Sequence, residues 1–254
     1  MPRPDASQKL AASKPKDGPS KGLIASIVAV VLVIGVVAAV FVNQAGKSST
    51  YSGGAPKGGT SDAKGLVAYP NVTLKPGAPT VDLYEDFQCP ICNDLEKANG
   101  EQIMAKAKSG DIKLVWHLMT FLQDNLQNAP ASAIAANGLY CAADAGKTAE
   151  YHAANFAGQP AKEGAGYSVA DIKKFGKEAG ISGGALDTFN KCVDDNKYKD
   201  YVAKTAENAG KDGVTGTPTI KFNGKAVSNS SPEYTQLLQQ PGSFDAVLKK
   251  ETGK

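Results

Sequence analysis

Cys89 and Cys92 stand three positions apart around Pro90, where the stretch "TVDLYEDF" (Thr80 to Phe87) gives way to a helical pattern. Thr80 to Phe87 is rich in β-branched and aromatic residues and holds no breaker, which is a strand signature. Beyond Pro90, apolar Ile91, Leu95, Ile103 and Met104 recur at roughly helical spacing as far as Gly110. Two thiols on the first turn of a helix that follows a strand leave few folds open, and they restrict the chemistry as well. Cys89 falls at the helix N-terminus, where unpaired N–H groups and the macrodipole stabilise an anion. Pro90 suits the first helical position, since its missing N–H is not needed there. A depressed thiolate pKa for Cys89 follows, with Cys92, one turn in, as the less exposed resolving thiol. An acidic thiol favours the dithiol form, so the oxidised pair readily passes its disulfide on.

Other uses of the pair are poorer fits. Half a zinc site needs two further ligands. No second cysteine pair stands at the usual distance, and His117 and His152 are expected to be ordinary packing or surface residues. Neither a metal nor another cofactor is expected. "GKT" at Gly146 and "GKS" at Gly46 lack the upstream glycine of a phosphate loop. In "GVTGTPTIKFNG", Thr217-Pro218 opens a strand after glycines. Such a proline suits a cis peptide, because it cannot donate within a central ladder, but these residues also allow an ordinary trans proline at a strand start.

Leu23 to Val42 is a run of twenty largely apolar residues without a charge, long enough to cross a bilayer. Its core exceeds that of a cleaved signal peptide and "VNQAGK" is a poor cleavage site, so residues 23–42 read as an uncleaved signal anchor. Arg3, Lys9, Lys14, Lys16 and Lys21 precede it, while Lys47 and Lys57 follow. That bias places residues 1–22, a disordered tail, in the cytoplasm and everything after Val42 outside. All four cysteines lie after the span, on the side where disulfides persist. Residues 43–65 read as a flexible Gly/Ser-rich linker and residues 66–254 as the folded part. A formal net charge of +3 without a basic stripe argues against nucleic acid.

Within the folded part, "LVAYPNVTL" reads as a first strand. "DIKLVWHLMTFL", centred on Leu114 to His117, completes a strand–helix–strand crossover. Ala-rich helical segments occupy about 124–212. "TPTIKF", the hairpin dipeptide Asn223-Gly224, a short partner around Lys225 to Val227 and the helix "SFDAVLKKE" close the chain.

"DFQCPIC", followed by "GTPT" about 125 residues later with a helical block between, resembles the DsbA-like branch of the thioredoxin superfamily. The anchor and the form "YEDFQCPIC" are similar to membrane-tethered actinobacterial members, over roughly Leu66 to Glu251. The resemblance implies an α/β, thioredoxin-like fold with an inserted all-helical domain, preceded by a single transmembrane helix. It implies that Cys89 is the nucleophile and Cys92 the resolving thiol, with Pro90 and Ile91 between them. A cis Thr217-Pro218 bond would face the pair. Reduced exported polypeptides would be the substrates, a membrane partner of DsbB or VKOR type the reoxidant, and the bilayer would hold residues 23–42, with the catalytic domain extracytoplasmic. A reductase or isomerase kept reduced by a membrane electron donor uses the same parts. A non-catalytic peptide-binding module is a further alternative.

The chain also departs from its relatives. Many carry a buried acid six positions before the first cysteine, where this chain has Leu83. The nearby Asp82, Glu85 and Asp86 read as solvated strand-end charges. Ile91 can offer the Cys89 sulfur neither a hydrogen bond nor a positive charge, so a less oxidising pair than Cys-Pro-His-Cys is expected. Cys141 and Cys192 fall in two helical segments without the local features of a reactive thiol, and a structural disulfide is expected, with two buried free thiols as the alternative. Closing that loop is worth about 4 kcal/mol in the chain-entropy model.

Overall fold

The computed structural model describes residues 53–125, 130–162 and 164–253. The expected tail and membrane anchor, residues 1–42, lie outside the described residues, and among those described no helix is long and apolar enough to cross a membrane. Five strands form one sheet: β1 (Leu66–Val67), β2 (Thr80–Glu85), β3 (Lys113–Leu118), β4 (Thr219–Phe222) and β5 (Lys225–Ala226), in the order β1-β3-β2-β4-β5. β2 runs parallel to β3, from Thr80 beside Lys113 to Glu85 beside Leu118, and antiparallel to β4. Parallel neighbours need a long crossover. It is supplied by α1 (Pro90–Leu95), a π turn (Glu96–Gly100) and α2 (Glu101–Lys108).

β2 is the middle strand, and helices cover the end from which the chain leaves. Residues 83–89 are therefore buried without alternation. The β4–β5 hairpin turns on Asn223 (φ 51°) and Gly224 (φ 83°), the left-handed pair that a two-residue turn requires. β1 is only two residues long, much shorter than "LVAYPNVTL", since Pro70 cannot donate to a ladder. Of the expected linker, residues 53–65 are described, and they pack against the folded part. Pro56, Ala63 and Gly65 are buried. The Tyr201 hydroxyl donates to the Gly65 carbonyl at 2.9 Å, and Asn208 Nδ2 to the Asp62 carbonyl at 2.8 Å. Poor hydrophobicity hid this segment, because its order comes from backbone groups bonded to a distant helix.

The helical block comprises α3 (Phe121–Asn125), α4 (Ala131–Asp144), α5 (Thr148–Ala157), α6 (Val169–Glu178), α7 (Gly183–Asp194) and α8 (Lys199–Lys211). Its hub is α4, whose Ala135, Ala136, Ala142 and Ala143 are all buried and let neighbours approach on several sides. At Gly138 a Cβ would lie 2.2 Å from the Tyr151 hydroxyl, so glycine allows α4 and α5 to close. Cys141 and Cys192 join α4 to α7 through a disulfide, with Cα atoms 5.8 Å apart.

The chain ends in α9 (Pro232–Gln239) and α10 (Phe244–Thr252). α9 was not anticipated from periodicity, although its start is written in the residues. The Ser231 hydroxyl accepts from the Tyr234 N–H at 3.2 Å, and Pro232 takes the first helical position. Asn99 of the π turn donates to the Leu237 carbonyl at 2.7 Å and accepts from the Phe244 N–H at 2.9 Å. It thereby fixes the turn between α9 and α10 against the crossover helix.

Candidate active site

β2 delivers the chain to Asp86, and the Cys89 N–H donates to the Asp86 carbonyl at 2.8 Å. Cys89 takes an extended conformation (φ −76°, ψ 116°) as the N-cap of α1, and Pro90 follows at the first position. Both cysteines are free thiols. Cys89 is 6% exposed, beneath exposed Pro90 and Ile91, while Cys92 is sealed at 0%. Ile91 stands 47% exposed at the rim, so an apolar side chain faces whatever approaches the sulfur.

The two sulfurs differ sharply in acidity. Cys89 is lowered from 9.0 to about 6, first by a hydrogen bond from the Cys92 thiol, then, against the cost of burial, by the Thr217 hydroxyl and the backbone N–H groups of Cys92 and Ile91. Cys92 is pushed well above 9.0, chiefly by burial, then by its bond to Cys89 and the charges of Cys89 and Glu85. As a thiol, Cys89 Sγ lies 3.5 Å from the Thr217 carbonyl oxygen. Thr217-Pro218 is a cis peptide beside the pair. The structure thus brings Cys89, Pro90, Ile91, Cys92, Thr217 and Pro218 together, and places Cys141 and Cys192 apart from them in the helical block.

Several residues that hold this site escaped the sequence reading. Gln159 Nε2 donates to the carbonyls of Phe87 (2.8 Å) and Cys89 (3.1 Å), and the Tyr167 hydroxyl donates to Phe87 at 2.7 Å. Both come from the helical block, so it clamps the loop that carries Cys89. Tyr234 of α9 donates to the Pro218 carbonyl at 2.9 Å. Only Tyr234 had a signal, the Ser231-Pro232 helix start before it.

One expectation is corrected here. Glu85 and Asp86 are not solvated strand-end charges, since both are fully buried. Asp86 accepts from the Gln88 N–H (3.0 Å), the Ser132 hydroxyl (2.8 Å) and the Leu122 N–H (3.1 Å), which makes it a tie between loop and helical block. The histidines are packing residues, as expected, and each also meets a carboxyl. His117 is paired with Asp82 at 2.9 Å and stacked on Tyr84, and His152 is buried between Glu85 and Glu96. Among the described residues, Glu85, Glu96 and His152 are the one group of potential ligands close enough to share an ion. The ring nitrogens of His152 face different carboxyls, Nε2 towards Glu85 at 2.9 Å and Nδ1 towards Glu96 at 3.8 Å.

Comparison with known proteins agrees with this geometry. The thioredoxin family model matches residues 75–240. No curated protein matches. Among solved structures, DsbA from Mycobacterium tuberculosis in its reduced form is 25% identical, with a TM-score of 0.53 over 78% of this chain and 100% of that one. Two others share the fold at lower identity. MdbA, a thiol-disulfide oxidoreductase from Actinomyces oris, has a TM-score of 0.65 at 23% identity, over 81% of this chain and 94% of its own. BdbD from Bacillus subtilis has a TM-score of 0.59 at 20%, over 79% and 99%. The chain belongs to the thioredoxin family and is a thiol-disulfide oxidoreductase of the DsbA-like type.

Proposed function

We propose that the chain donates the Cys89–Cys92 disulfide to reduced exported polypeptides, on the outer side of a membrane in which residues 23–42 anchor it. The observation that carries this reading is the contrast between the sulfurs: Cys89 near the surface and acidic, Cys92 sealed and reluctant to ionise. A substrate thiolate attacks Cys89 Sγ of the oxidised pair, the sulfur–sulfur bond breaks, and its electron pair departs on Cys92. The substrate's second thiolate then attacks its own sulfur in the mixed disulfide. Cys89 leaves as a thiolate, received by the Thr217 hydroxyl and the N–H groups of Ile91 and Cys92. The protein ends as a dithiol and the substrate holds the disulfide. A membrane partner of DsbB or VKOR type would remove the two electrons.

Full-length protein in detergent is expected to accelerate disulfide formation in reduced, unfolded ribonuclease, and failure to do so overturns the proposal. Equilibration with glutathione sets the direction. A potential above roughly −200 mV marks a donor, whereas one near about −270 mV makes the chain a reductase.

Ile91 leads to a second expected result. Ile91→His places a hydrogen-bond donor and potential cation beside Cys89, which favours the thiolate and hence the dithiol. The equilibrium constant with glutathione should shift by about tenfold towards the reduced protein, equivalent to roughly +30 mV. An unchanged or lower potential refutes the part assigned to this side chain.

A further inference from the structure

A cleft of about 710 Å³ opens beside the redox pair, between the crossover helix on one side and α5 with the segment after it on the other. Pro90 and Gln159 line its near end. Gln159 Nε2 donates to the Cys89 carbonyl at 3.1 Å, and Asn93 Nδ2 donates to Gln159 Oε1 at 2.9 Å. The mouth of the cleft is thereby tied to the loop that carries the nucleophile. None of Thr217, Pro218 and Tyr234 lines it. The cleft is a second surface, continuous with the active site, that the exchange chemistry itself leaves unemployed.

Its two walls differ in kind. Pro90, Asp94, Lys97, Glu101 and Met104 recur every three or four positions, which sets them on one face of the crossover helix. The facing wall offers Ala153, Ala157 and Ala161, whose side chains end at Cβ and let a polypeptide backbone lie close. Acids outnumber bases in the lining: Asp94 and Glu101 are exposed and Glu96 lies deeper, against Lys97 alone. Burial raises Glu96 to about 7, with His152 opposing and Glu85 reinforcing, so Asp94 and Glu101 carry the charge that a partner meets. Among the described residues neither of these two is ion-paired, unlike Asp111, Asp194 and Glu207, each of which is held by a lysine.

We propose that this cleft seats, in extended form, the segment flanking the reactive cysteine of a reduced polypeptide, and that Asp94 and Glu101 select segments bearing lysine or arginine. The inference rests on the disulfide-exchange reading above and names a substrate class for it. Glu101 stands eleven positions beyond Pro90, a rise of about 16 Å along a helix. An extended chain covers that distance in about five residues. Asp94, about 6 Å along the same face, therefore meets roughly the second residue from the substrate's cysteine, and Glu101 roughly the fifth. The aliphatic stems of lysine or arginine lie over the alanines and Met104, while their charged ends reach the carboxylates.

The seat leaves the chemistry at Cys89 as described and adds proximity: a segment held there keeps its own thiolate beside the Cys89 sulfur. Rim charges of this kind act mainly on encounter and on the choice of partner, and salt screens them. Lys97 stands between the two acids on the same face and repels the same cations. The preference is thus a balance that substitutions on this face tip in either direction.

The test mixes full-length oxidised protein with single-cysteine peptides that carry arginine, glutamine or glutamate at the second and fifth positions, either before or after the cysteine. Acid quenching and mass spectrometry give the initial rate of mixed-disulfide formation at Cys89. In one of the two flank series arginine should outpace glutamine by about three- to tenfold at low salt, with glutamate slowest, and the preference should shrink below about twofold at about 0.5 M salt. Asp94→Asn/Glu101→Gln should bring the arginine-to-glutamine ratio to about one, and Lys97→Glu should raise it. Ala157→Trp, which fills the facing wall, should slow the arginine peptide at least about threefold more than it slows reduced glutathione, which is too short to occupy the cleft. A parent ratio near one in both series overturns the seat, as does a preference for glutamate or a ratio that survives Asp94→Asn/Glu101→Gln. A parent that reacts with all the peptides alike loses the seat only. One that reacts neither with them nor with glutathione loses the exchange reading as well.

Discussion

Replacing Cys89 with serine is expected to reduce disulfide transfer to a reduced polypeptide to the uncatalysed rate, a loss of at least about a thousandfold. Serine cannot carry a disulfide, and Cys92 is sealed from any approaching substrate. Catalysis that survives Cys89→Ser removes this sulfur from the mechanism. The parent supplies the complementary measurement. Alkylation of reduced protein, or thiolate ultraviolet absorbance, should titrate near pH 6 rather than at the 9.0 of an unperturbed thiol. Cys92→Ala removes the largest cause of that shift, the hydrogen bond from the Cys92 thiol, and the midpoint should climb towards the ordinary value.

The same sulfur makes the stability of the reduced protein depend on pH. A folded pKa below the unfolded one contributes stability that is present above the unfolded value and lost as pH falls through the folded value. For Cys89 the window runs from about 9 down to about 6. Oxidised protein has no thiol to ionise, so the reduced form should gain on it steadily across that window, by about 1.4 kcal/mol at pH 7. Glu85 and Glu96 act in the opposite sense. Their folded values are raised, so stability is full below about 4.5 and is lost as pH rises from there through about 7 to 8. The carboxyls titrate in both redox states, so comparing reduced with oxidised protein by denaturant unfolding cancels the burial part of their effect and leaves the sulfur together with the part of the Glu85 shift that the Cys89 charge causes. A gap that does not widen with pH contradicts the acidic Cys89.

How much of this was readable in the sequence depends on how local each interaction is. The strand–helix junction at Cys89, the hairpin at Asn223-Gly224 and the helical block all follow from neighbouring residues, and each was read nearly to its boundaries. What was missed is non-local. Glu85 and Asp86 look like surface charges because period and composition cannot reveal that the helical block closes over the end of β2. Asp86 meets Ser132 across 46 positions, and Glu85 meets His152 across 67. Neither separation has a sequence signature. Gln159 and Tyr167 sit in a loop with no pattern of their own, yet they hold the backbone of the redox pair. The missed α9 is a different case: the Ser231-Pro232 start was available, but a short segment with few apolar residues gave the period too little weight.

Removing the Cys141–Cys192 disulfide in a Cys141→Ala/Cys192→Ala protein is expected to cost about 4 kcal/mol in the chain-entropy model. The bridge closes a loop of 51 positions. At roughly 2–4 °C per kcal/mol for a domain of this size, the melting temperature should fall by about 8–16 °C. The loss should concentrate in the helical block, because α4 and α7 are the elements joined, and α4 also packs against α5, α6 and α8. Through α5 and the segment after it, loosening of the block reaches His152, Gln159 and Tyr167, the last two of which clamp the loop before Cys89. Transfer activity should therefore persist at low temperature and fail some degrees below the melting point, first as a slower reaction and only later as unfolding. Hydrogen exchange localises the effect, with amides of α4 to α7 losing protection ahead of those in β2 and β3. A melting shift below about 3 °C, or protection lost evenly over sheet and helices, would show that the bridge merely decorates a block already held by its alanine-lined contacts.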